Sequence, residues 1–265
     1  MDPSIGFVTQ GWMEREAAIA WAGDHGFDYV EILMDGNDHR ERLEPEVGSV
    51  RAAAADAGVE LAVHLPFPTP VGSPHEHVRE GALREQEACL DLADDIGAGK
   101  AVLHPESGAW GAAWSDEQVR PHIDDSVGAL TAYGADRGVE VCAENLFNKP
   151  YTIHEMDRLL ERTDASMTLD TGHARVEGAD EEAVASFLGE WQDRVTHVHL
   201  NDTRRPRDEH LPFGAGTIDF RTELAALGED WSGTLSLEVF TGGYDYLAES
   251  KERLDDLLAE LGASG

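Results

Sequence analysis

The sequence predicts an α/β fold, a (β/α)8 TIM barrel built from residues 1–265 as a single domain. Three observations lead there. Short aliphatic runs alternate with helical stretches along the whole chain, eight such runs can be read, and 265 residues is close to the usual size of an eight-fold barrel, about 250.

The first run, Ile5–Val8, leads into GFVTQGW. A doubly wound open sheet, the competing architecture, more often places a Gly-rich phosphate turn there, and this is not one. Further strands are expected at Tyr29–Leu33, Glu60–Leu65, Ala101–His104, Glu140–Glu144, Met167–Asp170, Val195–Leu200 and Thr234–Phe240. Each is short, rich in β-branched or aliphatic residues, and bounded by Gly, Pro, Asp or Asn. Helical spacing relates Ala82, Cys89, Ala93 and Ile96, then Val119, Ile123, Val127 and Leu130, and finally Leu247, Leu254, Leu257, Leu258 and Leu261. Ser115 with Gln118 reads as a capping box and Gly138 as a helix stop, while Pro121 predicts a kink or a later start.

Acidic residues number 53 against 20 basic ones, giving a formal charge of −33 and a pI near 4.4. The excess is spread over the helices and leaves little to neutralise a nucleic-acid backbone, which disfavours such a partner. With sparse lysine, it resembles the composition of halophilic archaeal proteins, whose medium screens charge over a few ångströms. Cys89 and Cys142 are not in a paired spacing, no apolar run approaches a membrane span, and MDPSIGFV lacks a basic region followed by an apolar stretch. A reduced, cytoplasmic protein without a secretion signal is expected.

In such a barrel the chemistry collects at the C-terminal ends of the strands. There AVHLPF carries His64, VLHPES carries His104, CAENLF carries Glu144, and LDTGHA carries Asp170 and His173. VTHVHLND carries His199, with Asp208 and His210 in the loop that follows, and LSLEVF carries Glu238. Singly, each is explained as a hydrogen-bonded rim residue or a helix cap. Together, nine imidazoles and carboxylates on one rim would repel unless a cation lay among them. This donor set suits a divalent metal, zinc or manganese. His197 alternates with His199 and is expected one layer deeper, as a packing partner, and Cys142 likewise below Glu144. Glu31, in YVEILMDG, reaches the pocket or forms a buried pair. His25, His39, His75, His77, His122 and His154 fall on helices or loops and are expected to be solvated.

HLPF, LHPES, AENLF, DTGHA, HLND and DEHLPFGAGTIDF, in this order, resemble the xylose isomerase-like barrel superfamily, which includes endonuclease IV and many sugar isomerases and epimerases. The resemblance spans essentially the whole chain. Similarity to endonuclease IV implies three zinc ions: one on His64, His104 and a bridging Glu144, one on Asp170, His199 and Glu238 around that bridge, and one on His173, Asp208 and His210. Similarity to the sugar enzymes implies one ion, on Glu144, Asp170, His199 and Glu238. The two glutamates then double as acid and base, and His173 and Arg205 contact the sugar, with His64 and His104 also free to meet substrate.

The two branches use different physics. A zinc cluster activates water and holds both oxygens of an in-line phosphoester displacement, as for abasic DNA. One ion chelates neighbouring carbonyl and hydroxyl oxygens of a sugar or sugar phosphate, so that one glutamate removes the acidified α-proton and the other returns it to the enediolate. Sugar isomerase or epimerase chemistry is the preferred expectation. YVEILMDGNDHRERLE lacks the aromatic- and basic-rich segment that endonuclease IV inserts into the duplex, and reads Val-Glu-aliphatic as sugar-acting relatives often do. Asp208 and His210 speak for the phosphodiesterase. Metal-dependent lyase or dehydratase activity is a third class. Arg204 and Arg205 either grip a phosphate or carboxylate or solvate their loop, and the Gly214-Ala-Gly216 turn either exposes N–H groups to a phosphate or only meets a turn requirement.

Overall fold

Each aliphatic run becomes a strand because both of its faces are buried, one by the barrel interior and one by the surrounding helices. The computed structural model describes residues 1–204 and 207–263. Its strands are β1 (Ser4–Val8), β2 (Tyr29–Leu33), β3 (Glu60–His64), β4 (Ala98–Leu103), β5 (Glu140–Glu144), β6 (Ser166–Asp170), β7 (Val195–Leu200) and β8 (Thr234–Leu237). All pair in parallel in chain order, and β1 also pairs with β8, which closes the barrel.

The expected strands are all present, with shifted ends. β4 starts at Ala98 rather than Ala101 and stops before His104. Its first residues look like a turn because Gly97, at φ 84°, ends the helix Glu76–Ile96, yet Ala98 and Lys100 pair with Leu61 and Ala62 across a register shift. β8 stops at Leu237 rather than Phe240. The Glu238 N–H still donates to Leu200 O at 3.1 Å, but the Phe240 N–H turns to His210 O at 3.1 Å, so the chain leaves the ladder for the loop after β7.

The three helical stripes lie on Glu76–Ile96, Asp116–Ala135 and Tyr244–Ala263. In the last, Leu247 and Leu254 are buried, while Leu257, Leu258 and Leu261 are half-buried at the edge of the core. The capping box at Ser115 and Gln118 is formed, and the helix starts at Asp116, ahead of Pro121. Proline here forfeits a bond to the Glu117 carbonyl, which an exposed first turn offers to water instead. No helix among the described residues is long and apolar enough to cross a membrane.

Candidate metal centre

The nine rim residues converge. His64 and Glu144 end their strands, Asp170 ends β6, His104 and Glu238 follow β4 and β8 by one residue, and His173 sits in the short helix Thr171–Val176. Besides His64–His199–Glu238, they form three groups, His64–His104–Glu144, Glu144–Asp170–His199–Glu238 and His173–Asp208–His210, of which the first two share Glu144, each with one atom per residue lying within 4.8 Å of the others. These are the three sets expected from the sequence. Glu144 is the hub: Oε2 lies 2.9 Å from His104 Nε2 and 3.5 Å from His64 Nε2, and Oε1 lies 3.2 Å from His173 Nδ1 and 3.6 Å from His199 Nδ1. Glu238 Oε2 lies 3.5 Å from His199 Nδ1 and 3.5 Å from His210 Nδ1.

Several histidines have one nitrogen tied back to the scaffold. His64 Nδ1 meets Leu65 O at 2.9 Å, His173 Nδ1 meets Asn145 O at 3.0 Å, and His210 Nδ1 meets Glu238 O at 3.2 Å. A carbonyl only accepts, so these rings carry hydrogen on Nδ1 and turn Nε2, the nitrogen able to ligate once it is deprotonated, toward Glu144 or Asp208. His199 is reversed, with Nε2 on Glu31 Oε1 at 3.1 Å and Nδ1 facing Glu144 and Glu238. Both Glu144 oxygens and His199 Nδ1 are buried without an aligned hydrogen bond. Anchored imidazoles presenting lone pairs to orphaned carboxylate oxygens fit a cation.

The magnitude of the repulsion supports the same reading. Three ionised carboxylates about 5 Å apart repel by roughly 3 to 4 kcal/mol per pair at an effective dielectric of 20, about 10 kcal/mol in all, comparable to the stability of a whole domain. Cations or protons must offset it. In the protein alone, protons do so. Burial pushes the Glu238 carboxyl up to about 7 against the pull of His210 and His199. Burial also opposes charge on Glu144, but His104, His199 and His173 outweigh it and hold that carboxyl well below the ordinary range. Burial lowers His210, yet Glu238 and Asp208 raise it to about 9. His199 is likewise raised well above its usual value, burial being outweighed by Glu31, Glu238 and Glu144.

Two asparagines that the motifs contain, but whose role the sequence reading missed, hold Asp170. Asn201 Nδ2 donates to Asp170 Oδ2 at 2.7 Å and approaches Glu238 Oε2 at 3.4 Å, and Asn145 receives the Asp170 N–H at 2.8 Å. The signal available was an Asn close behind a rim residue in each motif, Asn145 one residue after Glu144 in AENLF and Asn201 two residues after His199 in HLND. Gly172 makes room, since a Cβ there would come 1.8 Å from Asn201 Oδ1. Gly172→Ala is therefore expected to cost about 1 to 3 kcal/mol in a denaturant melt and to weaken cation uptake through displacement of Asn201.

Glu31 does not enter the pocket. It forms the buried pair, bridging His197 and His199 on β7, and His197 lies beneath the site as expected. Cys142 is buried and packs with its Sγ 3.5 Å from Thr196 Oγ1. The Gly214-Ala215-Gly216 turn serves the fold, because the Gly216 N–H donates to Asp202 Oδ2 at 2.6 Å. Arg204 folds onto Glu209 at 3.0 Å within its own loop. Arg205 lies outside the described residues. Of the other histidines, His25, His75, His77 and His154 are exposed, and His39 and His122 are half-buried.

A cleft of about 710 Å³ opens onto His64, His104, His173, His210 and Glu238, walled by Phe67, Phe147 and Phe240. A closed parallel barrel with an acid-and-imidazole cluster at its C-terminal mouth defines a class, and the chain belongs to it: residues 19–261 match the xylose isomerase-like TIM barrel family. An inosose dehydratase of Geobacillus kaustophilus is 28% identical, with 97% of this chain and 95% of the relative covered. A putative L-ribulose-5-phosphate 3-epimerase of Escherichia coli is 27% identical, with 87% and 84% covered. Among solved structures, a D-tagatose 3-epimerase-like protein superposes with a TM-score of 0.84 at 23% identity, over 98% of this chain and 99% of that one. A D-psicose 3-epimerase superposes with a TM-score of 0.75 at 16% identity, over 98% and 99%. At these identities the solved structures share the fold.

Proposed function

We propose that the chain is a divalent-metal-dependent sugar or sugar-phosphate isomerase or epimerase. One observation carries the reading: two glutamates able to serve as base and acid, Glu144 and Glu238, share one ion-sized group with Asp170 and His199. Glu144, Asp170, His199 and Glu238 would hold the ion, manganese or zinc, which supplies polarisation of a substrate carbonyl and so acidifies the adjacent C–H. Glu144 is the base that takes that proton, and Glu238 is the acid that returns one. Return to the same carbon from the other face gives an epimer, and return to the neighbouring carbon gives an isomer. Loss of a β-hydroxyl instead gives dehydration, the reaction in the name of the Geobacillus relative. His173, His64 and His104, all on the wall of the cleft, are the candidate substrate contacts. Arg205 is proposed for that role on sequence resemblance alone.

The names of the relatives support this reading over the alternative. The two flanking groups, His64–His104–Glu144 and His173–Asp208–His210, favour the second reading, a three-zinc phosphodiesterase acting on abasic DNA. A panel of ketoses, ketose phosphates and inososes run beside an abasic duplex, in high salt with manganese or zinc, separates them. Conversion of a ketose or inosose with intact DNA is the expected result. Nicked duplex with an unchanged panel would reverse the order of the two readings.

A further inference from the structure

We propose that Glu31 is a positioning residue for the candidate centre: its buried carboxylate, shared between His197 and His199, fixes the His199 ring with Nδ1, the nitrogen left to ligate, turned to Glu144 and Glu238. The proposal rests on the reading of Glu144, Asp170, His199 and Glu238 as a cation site.

The hydrogen-bond inventory leaves one solution. Glu31 is wholly buried on β2 and makes three contacts: Oε1 to His199 Nε2 at 3.1 Å, Oε2 to His197 Nε2 at 3.1 Å, and Oε2 to Ser236 Oγ at 2.7 Å. An ionised carboxylate only accepts, so both imidazoles carry hydrogen on Nε2. His197 Nδ1 is then a lone pair, and the Thr234 hydroxyl, 2.6 Å from it and 3.3 Å from Thr196 O, donates to the nearer acceptor. What remains is His199 Nδ1, buried and without a hydrogen-bond partner, 3.6 Å from Glu144 Oε1 and 3.5 Å from Glu238 Oε2. Each link is satisfied up to that atom, and the chain of contacts ends on it.

A buried carboxylate costs several kcal/mol unless it is fully partnered, and an apolar residue would fill the barrel interior without that cost. The function of the charge is to act on the ring. It selects the tautomer, locks the ring plane, and makes the imidazole more basic as a ligand. His64, His173 and His210 are anchored by neutral backbone carbonyls, whereas His199 is anchored by an anion. An order of occupancy follows: the group containing His199 binds a cation more tightly than either flanking group.

The test uses full-length protein stripped with EDTA, titrated with Mn2+ and, loaded with Zn2+, observed by 15N–1H NMR of the histidine rings. Glu31→Gln is expected to weaken the tightest Mn2+ site by about 10- to 100-fold and to shift the His199 Nε2–H resonance upfield from the downfield position expected of the wild type's charge-assisted hydrogen bond. Ser236→Ala, a milder change that removes one donor to the same carboxylate, is expected to weaken it less and in the same direction, and it carries the test if Glu31→Gln does not fold. A lowered melting temperature with unchanged Mn2+ affinity in both variants would show a merely structural role and overturn the proposal. Equal binding by wild type and Glu238→Gln would overturn the central-site reading itself, a different result from tight wild-type binding that Glu31→Gln leaves intact.

Discussion

Glu144→Gln is expected to abolish proton exchange at the substrate α-carbon, a loss of about 100- to 10,000-fold or more, and to reduce cation uptake with it. Glutamine keeps the volume but replaces one ligating oxygen with an NH2 donor. That group would point at a cluster of ring nitrogens, since the two Glu144 oxygens lie within 3.6 Å of His64, His104, His173 and His199. On the proposed roles, the hub loses a base and a ligand in one step. Glu238→Gln is expected to lose exchange as well but to disturb the cluster less, because Glu238 approaches two ring nitrogens, on His199 and His210, at 3.5 Å each, where Glu144 approaches four within 3.6 Å. Exchange that stops in Glu238→Gln while Mn2+ binding is weakened but not lost would separate the acid role from the ligand role.

Removal of the cation is the second large effect. EDTA treatment is expected to eliminate activity, and rebinding is expected to be proton-coupled. A cation at His199, or at His210, must displace protons held by imidazoles raised above their ordinary values, well above at His199 and to about 9 at His210. Apparent Mn2+ or Zn2+ affinity should therefore climb as pH rises toward 9, and proton release should be measurable in weakly buffered solution. Stability follows with the opposite sign in stripped protein. His210 has a folded value above its unfolded 6.5, so its contribution is fully present below pH 6.5 and is lost as pH rises through about 9. The melting temperature of stripped protein should fall across that window, and that of loaded protein should hold.

Much of this was legible in the sequence, for a physical reason. A parallel strand buried on both faces must be an aliphatic run, and a barrel sends the residues at strand C-termini to one mouth. His64, His104, Glu144, Asp170, His199 and Glu238 could therefore be placed together before any coordinate was known. Less legible was whatever depends on contacts between distant strands. Glu31 has no local pattern that tells a pocket residue from a buried pair, because its partners lie on β7, 166 and 168 residues away. Asn145 and Asn201 escape because an amide that steadies a carboxylate has no characteristic spacing. The start of β4 at Ala98-Gly99-Lys100 escapes because tertiary pairing across a register shift overrides weak strand propensity.

The account stands or falls on carbon acidity at the centre. The most direct measurement is 1H NMR of ketoses, ketose phosphates and inososes incubated in D2O with metal-loaded protein. The account predicts deuterium replacing the proton on the carbon next to the carbonyl of at least one of them, with no replacement in EDTA or with Glu144→Gln. Retained α-protons across the whole panel, with loaded protein that nicks an abasic duplex, would contradict it.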